Sequence, residues 1–368
     1  MKALHKTFPA LDGVRAISIL WVILLHLPVL VPDWVAPIRR RGELGVELFF
    51  SISGFLVTRS LFQCMAKSDS KLKIAQDFLL RRVSRIFPPY FLILTVLFLS
   101  ALIFDSNSWN KLMGIKDILW VFPGFLSNYF IPFSKNPVPE TLGITWSLAF
   151  EEQFYLGLLL MFFLGGARKL TLFILGAGFI SVLSRYYLTA VAASPMPIHD
   201  WQMLTHLRFD ALAWSCLSWI FFEQVGWLWA NRQRALFVNI FIVLGTLLSI
   251  SGHHLYPENP AWQSMIYALT APFFTLSVRA LCETQYEKTW IVKFLSSTFF
   301  STIGIVSYEI YLIHQIGFSL FLRLGIKSHP LLYTVLIYGF SIGGAWIFHR
   351  WFSLPTQRWL RGKTAVMR

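Results

Sequence analysis

The chain has 368 residues, of which 56% are hydrophobic and 17% aromatic, while only 14% carry charge, against about 25% in an ordinary soluble domain. Its 32 Lys and Arg outnumber 18 Asp and Glu to leave +14, but this charge rides on an apolar background, which argues against both nucleic-acid binding and disorder. With 35 Phe and 15 Trp, the apolar excess outruns what one core can hide, so an all-α polytopic membrane bundle is expected.

A bilayer core of about 30 Å takes about 20 mostly apolar residues per helix. That length selects spans near 14–31, 44–63, 84–104, 145–164, 168–189, 206–229, 235–252, 261–280, 299–321 and 330–348. The apolar stretch 117–131 is short and broken by Pro123 and Gly124, so it is expected to lie on the surface or re-enter. With ten crossings and both termini in the cytoplasm, the basic residues of 67–85, 168–169, 232–234, 288–293 and 350–368 fall inside. They outweigh Arg39 to Arg41, Lys111, Lys116, Lys135 and Lys327 outside, as the positive-inside rule requires. The expected organisation is a membrane domain over 1–348 and a basic cytoplasmic tail over 349–368, with a retained first segment. Cys64, Cys216 and Cys282 are too scattered for a disulfide framework or a metal pattern, and no metal is expected.

Ionisable residues inside spans point to function or to a specific pair. The first span carries Asp12 and Arg15 at its inner mouth and His26 farther out. Eleven helical steps separate Arg15 from His26 by about 16 Å and bring them to nearly one face. Snorkelling is the structural alternative for Arg15, and an interhelical hydrogen bond for His26. In GELGVELFFSISGFL, Glu47 needs a partner such as His26 or one of Arg39 to Arg41, while the small residues admit close packing, within one chain or between two. Arg81, Arg82 and Arg85 lead into the third span, either as a topology signal or as guanidinium groups matched to phosphate.

In TWSLAFEEQFYLGLLL, Glu151 and Tyr155 share a helix face, and Glu151 lies at roughly the depth of His26. Arg208 and Asp210 stand two apart, for which a structural ion pair is at least as good a reading as an acceptor site. In the ninth span Tyr308, Tyr311 and His314 recur at threes, a stripe that could line a polar cavity.

Taken in order, LDGVRAISILWVILLH, GVELFFSISGFL, RRVSRIFPPY, TWSLAFEEQFY, RFDALA and SYEIYLIH resemble the acyltransferase 3 family of bacterial integral membrane O-acyltransferases over the whole chain. The form resembled lacks an appended soluble esterase-like domain. The small residue that often follows the Arg-x-Asp element is replaced here by Trp214, Ser215 and Cys216. The resemblance implies a protein of the bacterial cytoplasmic (inner) membrane that moves an acetyl or other short acyl group from acyl-coenzyme A to a hydroxyl of a cell-envelope or secreted glycan. It implies His26 as the essential histidine, Arg15 as its paired arginine, Glu47 and Glu151 as the motif carboxylates, and Arg81, Arg82 and Arg85 as the basic segment. The expected partners are acetyl-coenzyme A or another short-chain acyl-coenzyme A, the glycan or glycolipid acceptor, membrane lipids and, in addition, a second copy or envelope-glycan assembly proteins. The rival class is a proton-coupled transporter or flippase with His26, Glu47 and Glu151 as the relay.

Overall fold

A computed structural model describes residues 8–27, 35–104, 106–192, 196–256, 258–283 and 286–366. Residues 28–31 of the first expected span and the last two of the basic tail lie outside them. Among the described residues there are helices and turns but no strand. Apolar runs of span length favour this outcome, because a helix satisfies its own backbone where water is absent. The principal helices are α1 (Ala10–His26), α2 (Leu44–Met65), α3 (Lys71–Phe104), α4 (Ser106–Gly114), α5 (Thr145–Tyr186), α6 (Thr205–Ile220), α7 (Arg232–Leu255), α8 (Pro260–Leu281), α9 (Thr298–Ile305), α10 (Ser307–Arg323), α11 (Pro330–Phe348) and α12 (Leu354–Val366).

Among the described residues, six stretches are long and apolar enough to cross a bilayer, or seven if α9 and α10, bent by 73° at their junction, form one broken span. The count falls below the expected ten for physical reasons. α1 has 17 residues and α6 has 16, fewer than the about 20 of a typical crossing. The expected spans 145–164 and 168–189 lie in the single stretch α5, interrupted at Gly166, whose φ of 65° and ψ of −166° leave the helical region. Glycine reaches that conformation without steric cost. The segment 117–131 forms a short 3-10 turn, Lys116–Val121, and the four-residue helix Ser127–Phe130. It is fastened to α3 where the Tyr90 hydroxyl donates to the Phe122 carbonyl at 2.8 Å.

Only 28% of the apolar windows in Lys71–Ile103 and Arg232–His253 is buried, against 72% for Leu44–Met65. Apolar surface on that scale would drive aggregation in water and suits lipid. α3 is 34 residues long, about 50 Å, so its basic first turns extend past a core of about 30 Å.

The chain divides into two compact units. The first comprises Met1–Leu25, Asp33–Gln63 and Phe150–Ile305, the second His26–Pro32, Cys64–Ala149 and Val306–Arg368. In the first, α2 is sheathed because Gly45 lies against the Ser18 carbonyl and Gly54 against the Leu212 carbonyl. Ile52, Phe55, Trp219 and Val278 build its core. In the second, α10 packs on α11 with Gly317 against Phe340 and Gly344 against Ile313, and α12 packs on α3.

Candidate active site

The second unit holds His26, the last residue of α1, and the polar face of α10. His314 is fully buried, and its ring meets that of His26 with centroids 5.3 Å apart and planes at 62°. Its Nδ1 lies 2.7 Å from the carbonyl oxygen of Tyr311, while its buried Nε2 has no hydrogen-bond partner among the described residues. The Tyr311 hydroxyl donates to the Ile144 carbonyl at 2.9 Å and stands 2.8 Å from the Ser147 hydroxyl. Tyr308 donates to the Ile86 carbonyl at 2.9 Å. The expected tyrosine stripe therefore ties α10 to its neighbours, and the His314 ring meets that of His26. Glu309 of the same span accepts from His349 Nδ1 at 2.8 Å.

The same unit gathers the guanidinium groups. Arg361 of α12 donates to the Ser84 hydroxyl at 3.2 Å and to the Arg81 carbonyl at 3.3 Å. Arg81, Arg82 and Arg85 all act on it electrostatically. Arg361 is a member that sequence reasoning missed, since nothing in the tail's own pattern says which helix it packs against. Arg82 also lies over the Phe78 ring at 5.9 Å.

A cleft of about 820 Å³ lies in the second unit, with Asn110, Lys111, Asn136, Glu140, Ser319 and Arg323 among its lining residues. Arg323 donates to the Ser108 hydroxyl at 2.9 Å. Along α10, Tyr308 marks the level of Ile86 beside the basic cluster, His314 comes about 9 Å later, and Arg323 about 14 Å beyond it. The two imidazoles thus stand between the cation cluster and the cleft.

The remaining expected residues fall in the first unit, and two pairings differ from expectation. Glu47 is paired with Arg208, both buried, rather than with His26 or Arg39 to Arg41. Asp210 is bound by Arg185 through two bonds of 2.8 and 2.9 Å, rather than by its near neighbour Arg208. Residues two apart on a helix point to different sides, so Arg208 and Asp210 reach different helices. Arg185 also donates to the Leu207 carbonyl at 2.6 Å. Its signal was legible as an arginine inside an apolar run, which demands a partner. Arg208 donates to the Gln202 carbonyl at 3.1 Å and lies 4.5 Å from the Tyr267 ring centre. Arg15 holds Asp12 at 3.1 Å on α1, and the Tyr155 hydroxyl donates to Glu151 at 2.8 Å. Among the described residues no three His, Cys, Asp or Glu side chains gather into a metal-binding group.

A family-wide sequence profile, described as an acyltransferase domain of the acyltransferase 3 type, matches residues 8–350. The chain belongs to this acyltransferase family. The chain is 28% identical over 321 residues to the peptidoglycan O-acetyltransferase OatA of Listeria monocytogenes, covering 84% of the chain and 49% of that relative. It is 33% identical over 158 residues to "Putative peptidoglycan O-acetyltransferase YrhL" of Bacillus subtilis, covering 41% of the chain and 23% of the relative. The chain thus spans about half or less of the length of these curated relatives. No solved structure matches the chain.

Proposed function

We propose that the chain is a membrane O-acyltransferase that carries an acetyl or other short acyl group from cytoplasmic acyl-coenzyme A to a hydroxyl of a cell-envelope glycan. The observation that carries this reading is the order of groups within the second unit: a guanidinium cluster at one end, His26 facing His314 in the middle, and a polar cleft at the other end. Guanidinium groups match the geometry of phosphate oxygens, so Arg81, Arg82, Arg85 and Arg361 hold the coenzyme's phosphates. The role of Arg15 in holding the coenzyme rests on the family resemblance alone, as do those of Glu47 and Glu151 in assisting His26. With both termini in the cytoplasm, the cleft opens on the outer face of the inner membrane and receives the glycan.

His26 accepts the proton of the glycan hydroxyl as its oxygen attacks the thioester carbonyl. The new carbon–oxygen bond forms, the carbon–sulfur bond breaks, and the proton passes from His26 to the departing sulfur, releasing the coenzyme as its thiol. Holding hydroxyl and thioester on either side of one imidazole replaces a collision of two reactants in water by an oriented encounter.

Proteoliposomes loaded with labelled acetyl-coenzyme A and supplied outside with peptidoglycan fragments test the reading. Labelled ester on the outer glycan is the expected result, and His26→Ala should lower its formation about 10²- to 10⁴-fold while leaving the protein folded. Glycan movement across the membrane without any new ester would replace the transferase by a transporter.

A further inference from the structure

His314 contains a buried nitrogen that the fold does not satisfy, and His26 is the group placed to satisfy it. The carbonyl oxygen of Tyr311 can only accept, so the Nδ1 bonded to it at 2.7 Å carries the ring's hydrogen when the imidazole is neutral. Nε2 is then a bare lone pair, buried and without a partner among the described residues. Such groups are rare in folded proteins and call for a physical reason. Among the described residues, three rings contact that of His314. Phe318, 6.1 Å away, has no polar hydrogen to offer, and the Tyr311 hydroxyl is given to the Ile144 carbonyl. The third is His26, edge-on at 5.3 Å.

Resting on the transferase reading, we infer that His314 is a positioning residue for His26: its Nε2 accepts an N–H from His26 when substrates are bound, which fixes the tautomer in which the other His26 nitrogen takes the glycan proton. The two rings are already in contact, with centroids 5.3 Å apart, and bonds to a catalytic base commonly tighten only in the substrate complex. Once His26 has taken the proton, the same bond is made to an imidazolium and is stronger. His314 thereby does with a neutral nitrogen what a carboxylate does for the histidine of a catalytic triad.

The size of the side chain and its acceptor atom can be varied separately. His314→Gln sets a carbonyl oxygen near the place of Nε2, His314→Asn keeps a polar group only near Nδ1, and His314→Phe keeps the ring and removes both nitrogens. With labelled acetyl-coenzyme A as donor and peptidoglycan fragments as acceptor, His314→Gln should keep kcat within about threefold of the parent. His314→Phe and His314→Asn should lose about 10²-fold in kcat with little change in KM for acetyl-coenzyme A. In a His26→Ala background, His314→Phe should add no further loss. A purely space-filling role predicts the reverse order, with His314→Phe the mildest, and that order would overturn the inference.

Nitrogen spectra of the full chain labelled with 15N-histidine, recorded in nanodiscs with and without acetyl-coenzyme A, decide the same question without turnover. The Nε2 resonance of His314 should move when His26 is replaced by Phe, and an unmoved resonance under both conditions would refute the pairing. A wild-type protein that transfers no label would sink the transferase reading, and the spectra would still judge the pair.

Discussion

Arg185 grips Asp210 with two nearly equal bonds, 2.8 Å from Nη1 to Oδ1 and 2.9 Å from Nη2 to Oδ2. Both side chains are buried, so each charge depends on the other. Removing one partner leaves an uncompensated buried charge, which costs about 3–5 kcal/mol. Asp210→Asn should therefore lower the thermal midpoint in detergent markedly, whereas the double change Arg185→Met with Asp210→Leu should recover much of it. Glu47→Gln should behave like Asp210→Asn, since it strands Arg208. An unchanged melting curve for Glu47→Gln would show that this pair contributes nothing to the fold.

The basic cluster should reveal itself in the donor constant. A hydrogen bond to a charged group contributes about 1.5–3 kcal/mol, so Arg85→Ala or Arg361→Ala should raise KM for acetyl-coenzyme A about 10- to 100-fold. Lysine in place of either arginine should recover only part of the loss, because an ammonium cannot bind phosphate in the forked geometry. Initial rates across donor concentrations at two salt levels provide the check.

The cleft should control the acceptor instead. Lys111 and Arg323 line it together with Glu140, and Arg323 is steadied by Ser108. Lys111→Ala and Arg323→Ala should raise KM for the glycan several-fold and leave that for acetyl-coenzyme A unchanged. Equal effects on both substrates would remove the cleft from the acceptor's path.

A close backbone approach offers a purely structural test. A methyl group at Gly304 would run into the Asp12 carbonyl oxygen, which is backbone and cannot swing aside. Gly304→Ala should cost about 1–3 kcal/mol through overpacking. Gly343→Ala, which meets nothing within 4 Å, should be neutral or slightly stabilising because alanine favours the helix. Thermal midpoints of the two variants, compared side by side, measure the difference.

By itself the sequence determined the solvent and the secondary structure. Apolar runs of membrane length with few charges admit helices in lipid and little else, and the short, Pro- and Gly-broken stretch at 117–131 was legible as something other than a crossing. The order of its motifs also determined the family, because each motif is local. Partner choice was not legible. Glu47 is bound by an arginine on α6, and Asp210 by one at the end of α5, although Arg208 stands two residues away in the chain. A buried charge fixes that some counter-charge must exist, but the side of the helix on which it lies decides which one can reach it. Arg361 joined the basic cluster for the same reason: α12 packs on α3, and no periodicity in the tail encodes that contact. The number of full-length helices likewise depended on where Gly166 left the helical region and where α9 bent into α10, since both alter direction without altering hydropathy. The meeting of the His26 and His314 rings belongs to this second class, because residues so far apart in the chain come together only through packing.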